Sequence, residues 1–195
     1  QCQPGSSIKP LTVYAPAIEM GLISPITVVP DYPYQVMDGK AWPVNVDGVY
    51  RGQVTVRQAL ANSYNTVAVR VLADMVTPAG SFDFATQKFH LPLESGRVIN
   101  GKVRSDIDVA PLSMAGLTDG VTTRDMANAF ATFPSGGVYR EARGGQQGQR
   151  ASGQHPPGGV RAQGEHRLLY ELHAHQRGHR GRRRRGRYQR HDRGR

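Results

Sequence analysis

The sequence predicts an α+β domain, represented mainly by its helical part, over residues 1–142, followed by an Arg/Gly-rich tail over 143–195 that does not fold. Three observations lead there. Apolar residues recur at helical spacing in several stretches of 1–142, while strand-like runs are few and short. Pro and Gly clusters separate those stretches. Charge then changes abruptly: residues 1–142 hold 11 Lys+Arg against 12 Asp+Glu, whereas 143–195 hold 14 Arg, no Lys and three acids. The net charge of +10 therefore belongs entirely to the tail, and the larger part is near neutral.

In chain order, residues 1–21 predict a turn at Pro4-Gly5 running into a helix capped by Ser6 or Ser7, with Leu11, Tyr14, Ala15 and Ile18 facing a core. Pro16 predicts a kink or break. Residues 22–52, rich in Pro and Tyr, predict loop with one short strand. Thr55 then caps a helix through Ala61, and Asn65 or Thr66 caps another through Met75, with the tight link Asn62-Ser63-Tyr64-Asn65 between them. Thr77-Pro78 is a cap followed by proline at the first helical position, starting a helix with Phe82, Phe84, Ala85 and Phe89. Residues 91–110 read as irregular. Thr122 or Thr123 opens a helix with the stripe Met126, Ala129, Phe130 and Phe133, which Pro134–Gly137 stops before a strand at Val138-Tyr139.

Two motifs carry chemistry. Ser6-Ser7-Ile8-Lys9 sets a lysine three residues after a serine, on one face if Ser6 opens a helix. A serine hydroxyl needs a neighbouring base to act as a nucleophile, and a lysine whose amine is made neutral by burial can serve. The ordinary alternative is an N-cap serine beside a solvated lysine. Ser63-Tyr64-Asn65 adds a hydroxyl and an amide, which could relay a proton and orient Lys9, or could be turn and cap residues. Cys2 is the only cysteine, which excludes an internal disulfide and a multi-cysteine metal site.

Around these motifs lie QPGSSIKP (3–10), Trp42-Pro43-Val44-Asn45, GQVTVRQALANSYNTVAV (52–69) and GVTTRDMANAFATFPSGGVY (120–139). In order and spacing these blocks resemble the transpeptidase domain of class A, bifunctional penicillin-binding proteins. The resemblance implies a truncated penicillin-binding-protein/serine β-lactamase-like fold, with Ser6 as the acylated nucleophile, Lys9 as its general base, and Ser63 and Asn65 as the second motif, S-x-N, around Tyr64. It implies peptidoglycan stem peptides ending in D-Ala-D-Ala as partners and β-lactams as covalent inhibitors. No cofactor and no metal are expected, and nucleic acid is not the expected partner. The resemblance places the parent at the extracytoplasmic face of the bacterial plasma membrane, with an upstream anchor and an upstream glycosyltransferase domain. The chain lacks an initiator Met, a signal segment and any run near the roughly 18 apolar residues of a membrane span, so it reads as an internal fragment.

The chain departs from the family pattern in its third motif, K-T-G or a variant. Gly39-Lys40 and Gly101-Lys102 are followed by Ala41 and Val103 and fall too early. In the family that strand lines the cleft and supplies an oxyanion-hole amide, so this chain alone is expected to be inactive. From Arg143 onward Ile, Phe, Met and Lys are missing, and Arg, Gly, Gln and His dominate. The composition suits a shifted reading of a GC-rich gene. A real tail would instead bind nucleic acid or an anionic polymer through Arg182–Arg185 and Arg187. His166, His173, His175 and His179 have no ligand pattern to support a metal.

Overall fold

The chain enters the fold through a rod built of three kinds of helical turn. In the computed structural model, which describes residues 1–142, Gly5–Ile8 form a 3-10 turn, Pro10–Tyr14 a π turn, and Ala15–Glu19 the short helix α1. Neither serine caps this rod, contrary to expectation. Pro4 holds the cap position, and the Ser7 hydroxyl donates back to the Pro4 carbonyl at 2.5 Å.

Nor does Pro16 break the rod, which continues to Glu19. The wide turn ahead of it supplies the reason: the Ala15 N–H bonds the carbonyl of Pro10, five residues back. In α register the missing Pro16 N–H would have met the Thr12 carbonyl. That carbonyl accepts instead from the buried Ser81 hydroxyl at 2.5 Å.

Ile8, Leu11, Val13 and Tyr14 are wholly buried, so this rod is the spine of the core. Ile8, Leu11 and Ala15 pack with Ala85, Phe89 and Leu91 and with Leu117, Val121 and Ala129. At the rim Phe89 and Phe130 each meet Phe133 edge to face, with centroids 5.8 and 5.7 Å apart.

The helices begin largely where their caps predict. Thr55 and Gln58 form a reciprocal capping box on α2 (Val56–Ala61). Thr77 accepts from the Gly80 N–H at the start of α4 (Pro78–Lys88), and Thr122 and Asp125 box α6 (Thr123–Ala131). Helix α3 (Asn65–Arg70), which continues as a π turn over Val71–Val76, differs. Tyr64 holds its cap position, so Asn65 and Thr66 are its first residues and their side chains are free for other partners. An unexpected helix, α5 (Val109–Met114), starts where the Asp108 carboxylate accepts from the Val109 N–H.

Strands are more numerous than the one expected in 22–52, and 91–110 is not wholly irregular. β1 (Val28–Asp31) pairs antiparallel with β4 (Gly52–Thr55), setting buried Val29 opposite buried Val54. β2 (Gln35–Met37) pairs with β3 (Lys40–Trp42), and β5 (Arg97–Ile99) with β6 (Lys102–Arg104). Both hairpins turn on two residues of positive φ, Asp38-Gly39 and Asn100-Gly101, as a two-residue hairpin loop requires. The Gly-Lys pairs therefore belong to hairpin turns. After α6 the chain turns through 132–137, and Val138-Tyr139 forms no strand among the described residues. The result is α+β, with helices carrying the core and small antiparallel pairs at its edge. The predicted unfolded tail over 143–195 lies outside the described residues.

Candidate active site

The Lys9 side chain is the most unusual group of the core. It stands at the end of the 3-10 turn, is 1% exposed, and has no charged partner among the described residues. Its amine donates to three neutral oxygens of the α2–α3 link: the Ser63 carbonyl at 2.8 Å, the Ser63 hydroxyl at 2.9 Å and Asn65 Oδ1 at 2.6 Å. Burial lowers its pKa from the usual 10.5 to about 8. At neutral pH roughly a tenth of the amine is then free base, against less than a thousandth for a solvated lysine.

The link that receives Lys9 is shaped for the task. Ser63 adopts positive φ (57°), an uncommon conformation for a residue with a Cβ, and so offers carbonyl and hydroxyl to the same amine. Asn65 is oriented at both ends of its amide: Oδ1 faces Lys9, and Nδ2 donates to the Val44 carbonyl at 2.8 Å. Its backbone N–H donates to Asn45 Oδ1 at 2.8 Å. Asn45 in turn donates to Asp31 Oδ1 at 2.7 Å and to the Val49 carbonyl at 2.9 Å. Asp31, fully buried, also accepts from the Thr66 hydroxyl and from the Arg51 N–H.

Ser6 lies three residues before Lys9, where side chains of a 3-10 turn eclipse. It is exposed, and its hydroxyl makes no hydrogen bond to the described residues, whereas that of Ser7 is tied to Pro4. Of the two adjacent serines, Ser6 alone keeps a free hydroxyl. The four predicted site residues thus sort plainly: Lys9, Ser63 and Asn65 are in contact, and Ser6 is one turn from Lys9. Sequence reasoning missed Asp31, Asn45 and Thr66. Asn45 was visible only inside the Trp42–Asn45 block, and Asp31 carried no motif at all.

The model of the penicillin-binding protein transpeptidase domain matches residues 1–156. The chain belongs to this family. Penicillin-binding protein 1A of Clostridium acetobutylicum is 38% identical over 147 residues, covering 71% of this chain and 17% of that protein. The 1A protein of Neisseria meningitidis is 36% identical over 143 residues, covering 71% and 16%. The chain therefore spans about one sixth of the length of the curated relatives it matches. Among solved structures, penicillin-binding protein 1A of Haemophilus influenzae superposes with a TM-score of 0.53 at 28% identity, over 71% of this chain and 19% of that one. PonA1 of Mycobacterium tuberculosis in complex with penicillin V gives 0.56 at 25% identity, over 71% and 36%. Penicillin-binding proteins of the 1A type thus share this α+β architecture. Among the described residues, no helix is long and apolar enough to cross a membrane.

Proposed function

We propose that this chain carries the nucleophile and base of a serine D,D-transpeptidase that cross-links peptidoglycan stem peptides. The observation that supports this most is the buried Lys9 amine, held by Ser63 and Asn65 one turn from the free Ser6 hydroxyl. In this reading Lys9, as free amine, takes the proton of Ser6 while Oγ attacks the penultimate D-Ala carbonyl. The tetrahedral intermediate collapses, its C–N bond breaks, and D-Ala leaves with a proton relayed from Lys9 through the Ser63 hydroxyl. An amine of a second stem then attacks the ester, loses its proton by the reverse path, and returns Ser6. A β-lactam enters the same way, but its opened ring stays attached, so the acyl-enzyme persists.

The oxyanion needs two converging N–H donors, and loss of one costs about 3–4 kcal/mol in a serine hydrolase. The family's second donor belongs to the third motif, and no K-T-G or K-S-G occurs in these 195 residues. The parent protein, anchored upstream and working at the extracytoplasmic face of the membrane, is therefore the active species.

A fluorescent penicillin tests the proposal. Full-length parent should label strongly, Ser6→Ala parent should not, and the 195-residue chain should label little or not at all. Strong labelling of Ser6→Ala would overturn the assignment. No labelling of the parent, with salt-sensitive retention on DNA, would favour a catalytically dead protein whose 14 tail arginines bind a polyanion.

A further inference from the structure

The base is held by a lever that runs beyond the Ser6–Lys9 and Ser63–Asn65 motifs. Lys9 is fixed by Asn65, and Asn65 is fixed by two contacts from the β3–β4 connection: its side chain donates to the Val44 carbonyl and its backbone N–H to Asn45 Oδ1, which also accepts from the next N–H, at Thr66, at 3.4 Å. An amide side chain can satisfy helix N–H groups only with its oxygen. The Asn45 oxygen faces helix α3 because its nitrogen is committed elsewhere, to Asp31 at 2.7 Å and to the Val49 carbonyl at 2.9 Å. Asp31 can serve because its second oxygen is taken by the Arg51 N–H at 2.9 Å and its first also receives the Thr66 hydroxyl. Asp31, Asn45 and Thr66 are all buried, so water does not replace a lost partner cheaply.

We propose that Asn45, oriented by Asp31, is the positioning residue that sets the Asn65 amide against Lys9. Loss of Asn45 frees the first turn of α3, lets the Asn65 side chain leave the Lys9 amine, and opens that amine to water. The groups within hydrogen-bonding distance of the amine are Ser63 and Asn65, both neutral, so no charge in the described residues compensates. The role of Lys9 as base rests on the function proposed above; the Asp31–Asn45–Asn65–Lys9 geometry does not.

Nuclear magnetic resonance of the 195-residue chain with labelled lysine ε-carbons tests the lever apart from activity. The chain has four lysines, and Lys9→Met identifies the Lys9 signal. In wild type this signal should titrate near pH 8. In Asn45→Ala it should move at least about one unit back toward the ordinary value. Thr122→Ala, which removes a cap on α6, serves as a control for general destabilisation and should leave Lys9 unmoved. If Asn45→Ala does not fold, Asn45→Asp keeps the acceptor but sets a carboxylate against Asp31. Its shift should be reversed, at least in part, by adding Asp31→Asn, which restores a donor between them. In full-length parent the same variants should lower penicillin acylation about tenfold or more and move its pH profile with the Lys9 titration. An unlabelled wild-type parent would defeat the catalytic reading and leave the lever to the resonance test. A Lys9 titration unchanged in Asn45→Ala, or in Asn45→Asp where the first does not fold, would overturn the lever even if acylation fell.

Discussion

Lys9 is the only one of the four lysines removed from solvent, and its proton links the site to stability. Its folded pKa, about 8, lies below the unfolded 10.5. Between those values the unfolded chain holds a proton that the folded chain has released, so stability rises with pH. The contribution is complete above 10.5 and is lost as the pH falls through about 8; across the window it amounts to about 3 kcal/mol. Urea midpoints measured through this range should climb in wild type, against any background trend, and lose that component in Lys9→Met. An equal climb in both would assign it elsewhere. The same amine predicts that penicillin acylation of full-length parent rises toward pH 8 and levels above it, with Lys9→Arg inactive at every pH. At this scale spacing in the sequence singled out Lys9, Ser63 and Asn65, which the structure brings into contact. Asn45 stood out only as the last residue of a block, with no role, and nothing pointed to Asp31, because a buried hydrogen-bond relay between residues far apart in the chain has no period.

Helix starts were legible for a related reason: a cap is a local device whose donor and acceptor lie within one turn. Thr55, Thr77 and Thr122 all accept from the N–H their position predicts. The hairpins were overlooked although Asp38-Gly39 and Asn100-Gly101 are strong turn signals. Their strands are mostly exposed, so apolar alternation, the signal sought, is absent from them. Two predictions belong to elements. Thr77 caps α4 from φ 73° and ψ 149°, a region nearly reserved for glycine. Thr77→Gly should therefore stabilise by about 1 kcal/mol, since relief of strain of about 1–3 kcal/mol exceeds the few tenths lost when a capping side chain gives way to glycine. A lower urea midpoint would show that the cap outweighs the strain. The second concerns the rod. Ser81→Ala strips the side-chain donor from the buried Thr12 carbonyl and should cost about 1–3 kcal/mol. That cost should shrink in a Pro16→Ala background, where a new N–H can reach the same carbonyl. Additive costs in the double-mutant cycle would disprove the exchange of donors.

Over the whole molecule, two properties change together near Arg143. Up to Ala142 charge is balanced, lysine is used and apolar residues build a core around the rod. Beyond it lysine, isoleucine, phenylalanine and methionine are all absent and arginine accumulates. Similarity to the curated relatives covers 71% of the chain, a share close to that of residues 1–142, and the family match ends at residue 156. The described strands are three isolated antiparallel pairs, whereas the resemblance set out above implies a sheet behind Ser6 with a third motif upon it. A basic tail evolved for polyanion binding has no reason to exclude lysine, whereas a GC-rich gene read out of frame yields Arg, Gly, Ala, Pro, His and Gln without selection. The coding DNA is therefore expected to carry a change of frame between about Tyr139 and Gly145. One of the other two forward frames, read from the codons around Arg143, should encode alternating apolar strands followed by K-T-G or K-S-G. Protein expressed from the restored frame should bind penicillin where the 195-residue chain does not, because it regains the second oxyanion donor and the sheet. Stop codons within a few triplets in both frames would reject this, and the arginines of 143–195 would then be a binding segment whose affinity for DNA falls steeply with salt.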